Sequence, residues 1–277
     1  AVVRLPGMNC EVETARGLAA AGLTPTLVGW DEPPAALAGY DAYVLPGGFS
    51  YQDRVRAGAV AAKDPRIEVI AAAAGHGTPV LGICNGAQIL VECGLVPGGD
   101  AVEIALAVNR LPRRAGYYSN WVTLEVRGTT LWTEAYAPGE RVPLPMAHGE
   151  GRFTARDPTR LPELSARGQV PFAYAVADDA MTPREGAVPW PDNPNGAEAD
   201  AAGVTNARGN VLALMPHPER ADRLLQVPLD WSGPWGERRR RARGDVAALH
   251  RAGPGHGLFV SLAWHLGVHA PPAEEVA

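Results

Sequence analysis

The sequence is poor in lysine and in cysteine. Lys63 is the only lysine, so arginine supplies nearly all of the positive charge. The three cysteines, Cys10, Cys84 and Cys93, are odd in number and show neither a C-x-x-C pair nor a Cys/His spacing typical of metal sites. We therefore expect no disulfide framework and no metal site, and reduced thiols point to a cytoplasmic protein.

Other features that are missing exclude whole classes of function. No apolar run approaches the roughly 20 residues that span a bilayer, so we expect no membrane partner. The first seven residues lack the layout of a signal peptide, which also favours the cytoplasm. The net charge of -5 gives no electrostatic case for a nucleic-acid partner. The chain also has no G-x-x-x-x-G-K-[ST] loop for the phosphates of a nucleotide.

What is present in the first 93 residues is an alternation of short apolar runs and alanine-rich segments. The predicted strands are residues 2–5, 24–28, 42–45 and 80–83, and the predicted helices are residues 11–21, 59–74 and 87–93. This order predicts an α/β fold of three layers, with a mostly parallel open sheet and helices on both faces. Such sheets place their functional sites at the carboxyl ends of the strands.

The pattern changes from about residue 100 to residue 207, where turns and alternating polar positions predict antiparallel strands. We interpret this part as an elaboration of the same domain, which would comprise residues 1–277. A last buried strand is predicted at residues 211–215, and a loop-rich tail at 221–256 precedes a C-terminal helix. The run from Arg238 to Arg243 within that tail is typical of a solvated or mobile segment, although a subunit contact is the alternative.

The segment Gly82-Ile83-Cys84-Asn85-Gly86 has the form G-x-C-x-G and lies between a predicted strand and a predicted helix. This is the cysteine version of the nucleophile elbow, in which glycines permit a sharp turn and a close backbone approach. The start of the helix directs its positive dipole end at the sulfur, which favours a thiolate. A plain buried core cysteine is the alternative.

A base for Cys84 is predicted at the end of the last buried strand. His217 lies between Pro216 and Pro218, and Glu219 follows two residues later. In an extended chain, residues two apart point the same way, so Glu219 could orient the imidazole as the third member of a triad. His148 competes as a base, but the glycines around it predict a loop.

Backbone donors for an oxyanion are predicted after the third strand, at Pro46-Gly47-Gly48. A glycine after a strand can turn its N–H into a pocket, and the N–H of Asn85, directly after the nucleophile, is the natural second donor. An ordinary turn is the alternative for Pro-Gly-Gly.

Together these segments resemble the class I glutamine amidotransferases, which use a catalytic triad. Among them the chain is most similar to the glutaminase subunits of phosphoribosylformylglycinamidine synthases. The resemblance rests on seven segments, in the expected order along nearly the whole chain. They are Gly7-Met8-Asn9-Cys10, Leu45-Pro46-Gly47-Gly48-Phe49-Ser50-Tyr51, Arg56-Ala57-Gly58-Ala59, Gly82-Ile83-Cys84-Asn85-Gly86-Ala87-Gln88, Ala147-His148-Gly149-Glu150-Gly151-Arg152, Asn193-Pro194-Asn195-Gly196 and Met215-Pro216-His217-Pro218-Glu219-Arg220.

The resemblance implies a catalytic triad of Cys84, His217 and Glu219 that hydrolyses glutamine, with an oxyanion hole made by the amides of Gly48 and Asn85. It also implies that Gln88, Gly47 and Phe49 contact the glutamine. The ammonia would pass to a large synthetase subunit, which converts formylglycinamide ribonucleotide to its amidine in purine biosynthesis, and a small third subunit would complete the complex. ATP and Mg²⁺ would belong to the synthetase, so we expect no cofactor in this chain.

The chain departs from the family pattern at three places, one of which is the arginine-rich tail, since it is longer and more basic than the family pattern. Gln52 stands where a glycine usually precedes the aspartate, here Asp53, and residues 116–120 replace a segment that usually carries an arginine. Two other functions remain open from the residues. One is a stand-alone cysteine γ-glutamyl hydrolase of the same fold, against which the Phe49-Ser50-Tyr51 loop argues, and the other is a non-catalytic binding protein.

Overall fold

The computed structural model describes residues 1–99, 101–176 and 186–268. The strands in these residues, in chain order, are β1 Val2–Arg4, β2 Leu27–Gly29, β3 Tyr43–Leu45, β4 Val80–Ile83, β5 Ile104–Val108, β6 Arg110–Leu111, β7 Arg114–Ala115, β8 Tyr118–Val126, β9 Arg141–His148, β10 Glu150–Ala155, β11 Phe172–Ala175, β12 Ala201–Thr205 and β13 Val211–Leu214. The α-helices are α1 Glu11–Ala20, α2 Pro65–Gly75, α3 Asn85–Glu92, α4 Arg160–Ala166, α5 Gly233–Arg241, α6 Val246–Leu249 and α7 His256–His265.

Nine of these strands form one continuous sheet in the order β2-β1-β3-β4-β13-β12-β11-β8-β9. Neighbours from β2 to β13 pair in parallel. Neighbours from β13 to β9 pair antiparallel. The predicted α/β class, a three-layer fold with an antiparallel elaboration in the second half, is confirmed. The continuity of the sheet supports the predicted single domain, which stays a prediction.

The central strand β4 explains why the functional segments converge. Leu81 is in register with Val44 of β3 on one side and with Leu212 of β13 on the other. All residues of these three strands are buried, as expected for parallel strands covered on both faces. Since the three strands run in the same direction, the chain segments that follow Leu45, Ile83 and Leu214 emerge at one edge of the sheet.

Glycines allow the helices to pack closely in this part of the fold. A side chain at Gly17 of α1 would meet the ring of Phe259 in α7 at 2.5 Å, so these two helices depend on the glycine for their contact. A side chain at Gly82 of β4 would lie 2.6 Å from the backbone of Gly86 in α3. The helix α3, whose residues 85–91 are all buried, therefore lies directly on the sheet.

The segment around His148 differs from the predicted loop. His148 is the last residue of β9, and β10 begins at Glu150, so only Gly149 separates two strands. The reason is long-range pairing, because β10 pairs with β5 in a second, two-stranded sheet and β9 pairs with β8. The prediction of a loop at His148 was wrong, since the glycines permit a strand irregularity here.

The tail predicted as loop-rich, residues 221–256, contains the helices α5 and α6. Most arginines of the basic run are exposed, as predicted, but the run forms the end of α5. Arg238 lies over the ring of Trp235, 4.3 Å from its centre, and Arg240 donates hydrogen bonds to the carbonyls of Leu229 and Trp231. These contacts hold α5 against the segment that precedes it.

Across residues 1–99, 101–176 and 186–268, none of the helices combines the length and the apolar character that crossing a membrane requires.

Candidate active site

Cys84 lies at a sharp turn between β4 and α3, as the elbow pattern predicts. Its φ of 49° and ψ of -102° fall in the left-handed half of backbone space, which is rare for a residue with a side chain. Such a conformation costs on the order of 1–3 kcal/mol and persists only where the surroundings enforce it. The Cys84 amide donates to the carbonyl of Leu214 at 2.8 Å, which ties the elbow to the end of β13.

The glycines around Cys84 are required by space. Besides the contact of Gly82 with α3, a side chain at Gly86 would lie 2.0 Å from the carbonyl oxygen of Leu45. The elbow therefore brings α3 against both β3 and β4. The sulfur of Cys84 lies 3.7 Å from the carbonyl oxygen of Ala147, and the residue is 4% exposed. The elbow geometry favours a functional cysteine over a passive core residue.

His217 and Glu219 form a buried pair beside the elbow. His217 Nδ1 lies 2.5 Å from Glu219 Oε1, and each residue is only 1% exposed. The chain is extended at His217, but residues Pro218–Arg220 form a 3₁₀ turn. The predicted contact is therefore present, but the predicted extended chain through Glu219 is wrong, because the turn folds the carboxylate back onto the imidazole.

Electrostatics make His217 a strong base. Burial alone lowers the pKa of His217, but the charges of Glu219 and of a Cys84 thiolate outweigh it and raise the pKa well above its usual value. The Nε2 atom of His217 has no hydrogen-bond partner among the described residues. A protonated His217 can therefore pair with a thiolate at Cys84 and later return the proton to a leaving group.

His148 lies in the same region but cannot play this part. Its Nδ1 lies 3.2 Å from the amide oxygen of Asn109, which carries no charge. Burial, together with the positive charge of His217, lowers the pKa of His148 to about 3. His148 is therefore neutral at physiological pH, which favours His217 of the two candidate bases.

The predicted oxyanion donors lie at the same edge of the sheet. Gly48 has φ of 149°, and a side chain there would lie 2.5 Å from the Cα of Met8 and 2.8 Å from the amide of Asn9. Asn85 is the first residue of α3, and the amide of a first helical residue has no partner within its helix. Both positions are suited to a donor role, which stays a prediction.

The predicted substrate contacts differ in their surroundings. Phe49 is 46% exposed beside Gly48, whereas Gly47 is buried, and a side chain at Gly47 would lie 2.8 Å from Cε1 of His217. The side chain of Gln88 is already engaged, because it donates to the carbonyl of Glu150 at 2.6 Å and accepts from Asn85 at 2.8 Å. These contacts allow Gln88 to hold the start of β10 in place. A direct contact of Gln88 with glutamine stays a prediction.

The departure at Gln52 has a structural consequence. Tyr51, Gln52 and Asp53 have φ values of 51°, 61° and 52°, all in the region that favours glycine. A glycine at position 52 would adopt this conformation without strain. The loop is held in place by its contacts, since Tyr51 donates to Asp64 at 3.0 Å and the Ser50 amide donates to Asn85 at 3.0 Å.

In the second departure, residues 116–117 join β7 to β8, and residues 118–120 begin β8. Asn109 donates to the carbonyl of Gly116 at 3.1 Å, and Arg114 donates to the carbonyl of Tyr117 at 3.1 Å. Tyr118 packs against Trp190 with ring centres 5.2 Å apart. This segment therefore supports the strand that ends at His148, with which β8 pairs.

Sequence reasoning assigned no role to three residues that the structure places in the site. Burial raises the pKa of the Tyr174 hydroxyl, and a negative charge at Cys84 raises it further. Cys10 lies beside His217, and Arg220 donates to its sulfur at 2.9 Å. A signal for Cys10 was available, because it follows β1, whose carboxyl end lies at the same edge of the sheet.

Cys10, His217 and Glu219 are also the one group among the described residues whose ligand atoms lie close enough to hold a metal ion, within 4.8 Å of one another. The guanidinium of Arg220 already contacts the sulfur of Cys10, and its Nε lies 3.9 Å from Glu219 Oε1. The group is therefore better suited to a positively charged side chain than to a metal ion.

Comparison with known proteins connects this geometry to a family. Residues 1–243 match the CobB/CobQ-like glutamine amidotransferase domain. The phosphoribosylformylglycinamidine synthase subunit PurQ of Methanothrix thermoacetophila is 40% identical over 238 residues, which cover 82% of this chain and 88% of the relative. The PurQ subunit of Halobacterium salinarum is 43% identical over 222 residues, which cover 80% and 91%.

A solved structure extends the match to the whole fold. The structure of PurLQS from Thermotoga maritima contains a chain that is 33% identical and superimposes with a TM-score of 0.68, covering 96% of this chain and 97% of that chain. The resemblance seen in the sequence motifs is thus confirmed by overall similarity. The chain belongs to the glutamine amidotransferase family and, within it, to the PurQ subunits of phosphoribosylformylglycinamidine synthase.

Proposed function

We propose that this chain is the glutaminase subunit of a phosphoribosylformylglycinamidine synthase, which hydrolyses glutamine and delivers ammonia to a synthetase subunit. The observation that carries the proposal is the strained elbow at Cys84 beside the buried His217–Glu219 pair. The PurQ relatives cover most of the chain at about 40% identity, and the site lies within the matched region.

The first chemical step is attack on the side-chain amide of glutamine. His217 holds the proton of the Cys84 thiol, and the thiolate sulfur forms a bond to the amide carbon, whose C=O electrons move to the oxygen. The amides of Gly48 and Asn85 stabilise this oxyanion. Glu219 keeps the imidazole oriented and balances its positive charge.

The second step releases ammonia and leaves a thioester. When the oxyanion collapses, the C–N bond breaks, and His217 gives its proton to the departing nitrogen. Neutral His217 then takes a proton from water, which attacks the thioester carbon, so glutamate leaves and the Cys84 thiol forms again. No redox partner is needed, because water supplies the only additional atoms.

The ammonia requires an acceptor outside this chain. The relatives are named as synthase subunits, and the relative of known structure is a PurLQS assembly. We place a large synthetase subunit and a small third subunit as the partners. ATP and Mg²⁺ serve the synthetase, which exchanges the amide oxygen of formylglycinamide ribonucleotide for nitrogen.

A cytoplasmic location fits this role. Cys10, Cys84 and Cys93 are all free thiols in the structure. Free cysteines at and beside an active site are suited to a reducing compartment, where no disulfide forms between them.

The test of the chemistry is glutamate release from glutamine. Cys84→Ser should abolish it, because the serine hydroxyl is a much weaker nucleophile than a thiolate. Cys93→Ser is the matched control, since Cys93 bonds to the carbonyl of Leu90 at the other end of α3, and it should keep activity. Full activity of the Cys84→Ser variant would refute the proposal.

A second assay separates the synthase subunit from a stand-alone hydrolase. Glutamate release should rise when the synthetase subunits and their nucleotide are added, and ammonia should appear in the amidine product. A wild-type chain that hydrolyses glutamine equally well with and without the synthetase would favour the stand-alone γ-glutamyl hydrolase.

A further inference from the structure

Cys10 is a buried thiol with specific contacts that the proposed chemistry does not use. The residue is fully buried at the start of α1, and its sulfur donates to the side-chain oxygen of Asn9 at 3.3 Å. Nη2 of Arg220 donates to the same sulfur at 2.9 Å. The thiol therefore has both a donor and an acceptor, which is unusual for a cysteine that only fills space.

This thiol is located beside the catalytic base. The sulfur of Cys10, a ring nitrogen of His217 and a carboxylate oxygen of Glu219 all lie within 4.8 Å of one another. Gly47 makes this approach possible, because a side chain there would lie 3.1 Å from the sulfur and 2.8 Å from Cε1 of His217. Cys10 and His217 thus share the space that the missing side chain leaves.

Arg220 connects Cys10 to the carboxylate. Its Nη2 contacts the sulfur, while its Nε lies 3.9 Å from Oε1 of Glu219, the atom that bonds His217. One guanidinium therefore bridges the beginning of α1 and the 3₁₀ turn after β13. The backbone fixes Cys10 to the loop after β3, since the Cys10 amide donates to the carbonyl of Gly47 at 3.2 Å.

We propose that Cys10 and Arg220 form a positioning pair that holds the imidazole of His217 and the carboxylate of Glu219 in their catalytic orientation. This inference rests on the proposed glutaminase function. Neither residue contacts the reacting atoms, so both act through His217 and Glu219. Cys84 remains the nucleophile.

Several charged or titratable groups lie around His217, and together they determine the pKa of its imidazole. They are Glu219 and Arg220 from its own turn, Cys84 from the elbow, Cys10 from α1 and His148 from β9. Burial lowers the pKa of His217, while the charges of Glu219 and Cys84, with a smaller contribution from the neighbouring Cys10 thiol, raise it. Removal of the Cys10 thiol should therefore lower the pKa of His217.

The experiment compares three substitutions in the full chain. Cys10→Ala removes the thiol, Cys10→Ser keeps a donor and acceptor, and Arg220→Gln removes the bridging charge. Cys93→Ala is the matched cysteine control. Arg223→Gln is the matched arginine control, because Arg223 likewise lies 3.9 Å from a neighbouring carboxylate, that of Asp222, with similar exposure.

Two readouts are measured for each variant. The first is glutamate release from glutamine as a function of pH, separated into kcat and KM. The second is the rate at which iodoacetamide alkylates Cys84 as a function of pH, followed by mass spectrometry of the Cys84 peptide. The second readout needs no glutamine, so it tests the positioning of His217 even if the proposed substrate is wrong.

We expect Cys10→Ala and Arg220→Gln to lower kcat by about tenfold, the size expected for one lost hydrogen bond to a charged group, with KM nearly unchanged. In both pH profiles, the transition that reflects protonation of His217 should move to lower pH in Cys10→Ala. Cys10→Ser should restore most of the wild-type profile. The two control variants should match wild type.

An unchanged pH profile and kcat in Cys10→Ala and Arg220→Gln would overturn the proposal, provided that wild type is active. A wild-type chain that releases no glutamate would instead contradict the proposed function, while the alkylation profiles would still test the pair. If Cys10→Ala does not fold, Arg220→Gln decides the matter, because a purely structural role would leave kcat and the alkylation profile of the folded Arg220→Gln variant unchanged.

Discussion

Two histidines in this molecule lie in nearly identical settings and have opposite properties. His148 ends β9 and His217 follows β13, both are almost completely buried, and the Nε2 of each lacks a hydrogen-bond partner among the described residues. The difference is the group at Nδ1. Glu219 contributes a charge at 2.5 Å, whereas Asn109 contributes only a neutral oxygen at 3.2 Å.

This difference supports His217, and not His148, as the proposed base. Burial disfavours the charged imidazolium at both positions, but a carboxylate in contact overcomes that penalty, and a neutral amide does not. The pKa of His217 is therefore raised, and that of His148 is lowered to about 3. A buried histidine at the end of a strand is therefore not by itself suited to be a base. The carboxylate partner is the feature that raises the pKa of His217 and not that of His148.

The largest expected effect comes from removing each imidazole. His217→Ala should lower kcat for glutamate release by roughly 10⁶-fold, the size of the loss when the histidine of a catalytic triad is removed. His148→Gln should stay within about tenfold of wild type, since it removes no proton carrier. Steady-state kinetics of both variants test this contrast between the two histidines. An equal loss of kcat in the two variants would contradict it.

The next effect concerns the carboxylate. Glu219→Gln keeps the shape of the side chain but removes its charge, so the pKa of His217 should fall toward that of His148. We expect a loss in kcat of roughly 10²–10⁴-fold, by analogy with other triads whose carboxylate is replaced by an amide. NMR titration of the His217 ring protons provides the second measurement, and a pKa that does not fall would contradict the account.

Stability should also depend on pH in a way that distinguishes the two histidines. His148 has a pKa of about 3 when folded and 6.5 when exposed, so the unfolded state binds the additional proton between these values. Folding stability due to His148 is therefore complete above about pH 6.5 and is lost as the pH falls. For His217 the sign is reversed, because its raised pKa gives stability at low pH that is lost as the pH rises through the folded value.

Urea unfolding of wild type and His148→Gln at two pH values isolates the first contribution. Between pH 7.5 and pH 5, wild type should lose about 2 kcal/mol more unfolding free energy than His148→Gln, from 1.36 kcal/mol for each pH unit between 6.5 and 5. Equal losses in both proteins would show that His148 is not held neutral by its surroundings.

The last prediction concerns the pKa of His148 when this residue receives a carboxylate neighbour. Asn109→Asp should raise the pKa of His148, because a negative charge then lies near Nδ1. The variant also loses the amide donor to the carbonyls of Gly116 and His148, which should cost about 1–3 kcal/mol of stability. NMR titration of His148 is the measurement, and a pKa that remains near 3 would argue that burial alone controls this residue.

Much of the site is predictable from short segments of sequence. The elbow at Cys84 follows from a local pattern of glycines between an apolar run and a helix, so its strained turn was expected. His217 and Glu219 were paired correctly because two residues of separation allow contact in more than one conformation. For this reason the pairing is confirmed although the turn after Pro218 is 3₁₀ and not extended.

The features that sequence did not reveal depend on contacts between distant segments. His148 belongs to a strand because β9 pairs with β8, which lies earlier in the chain. No local sequence pattern around His148 indicates this pairing. Cys10 reaches His217 across more than 200 residues of sequence, through the space left by Gly47. The arginine-rich end of α5 lacks an apolar face, so its helix depends on Trp235 and on carbonyls of the preceding segment.

The most direct test of the central claim is to locate the covalent intermediate. Wild-type protein that is mixed with glutamine, quenched rapidly in acid and digested should carry a glutamyl thioester on the peptide that contains Cys84, as detected by mass spectrometry. The peptides of Cys10 and Cys93 should remain unmodified. An adduct on either of those cysteines, or glutamate release without any adduct on Cys84, would contradict the account.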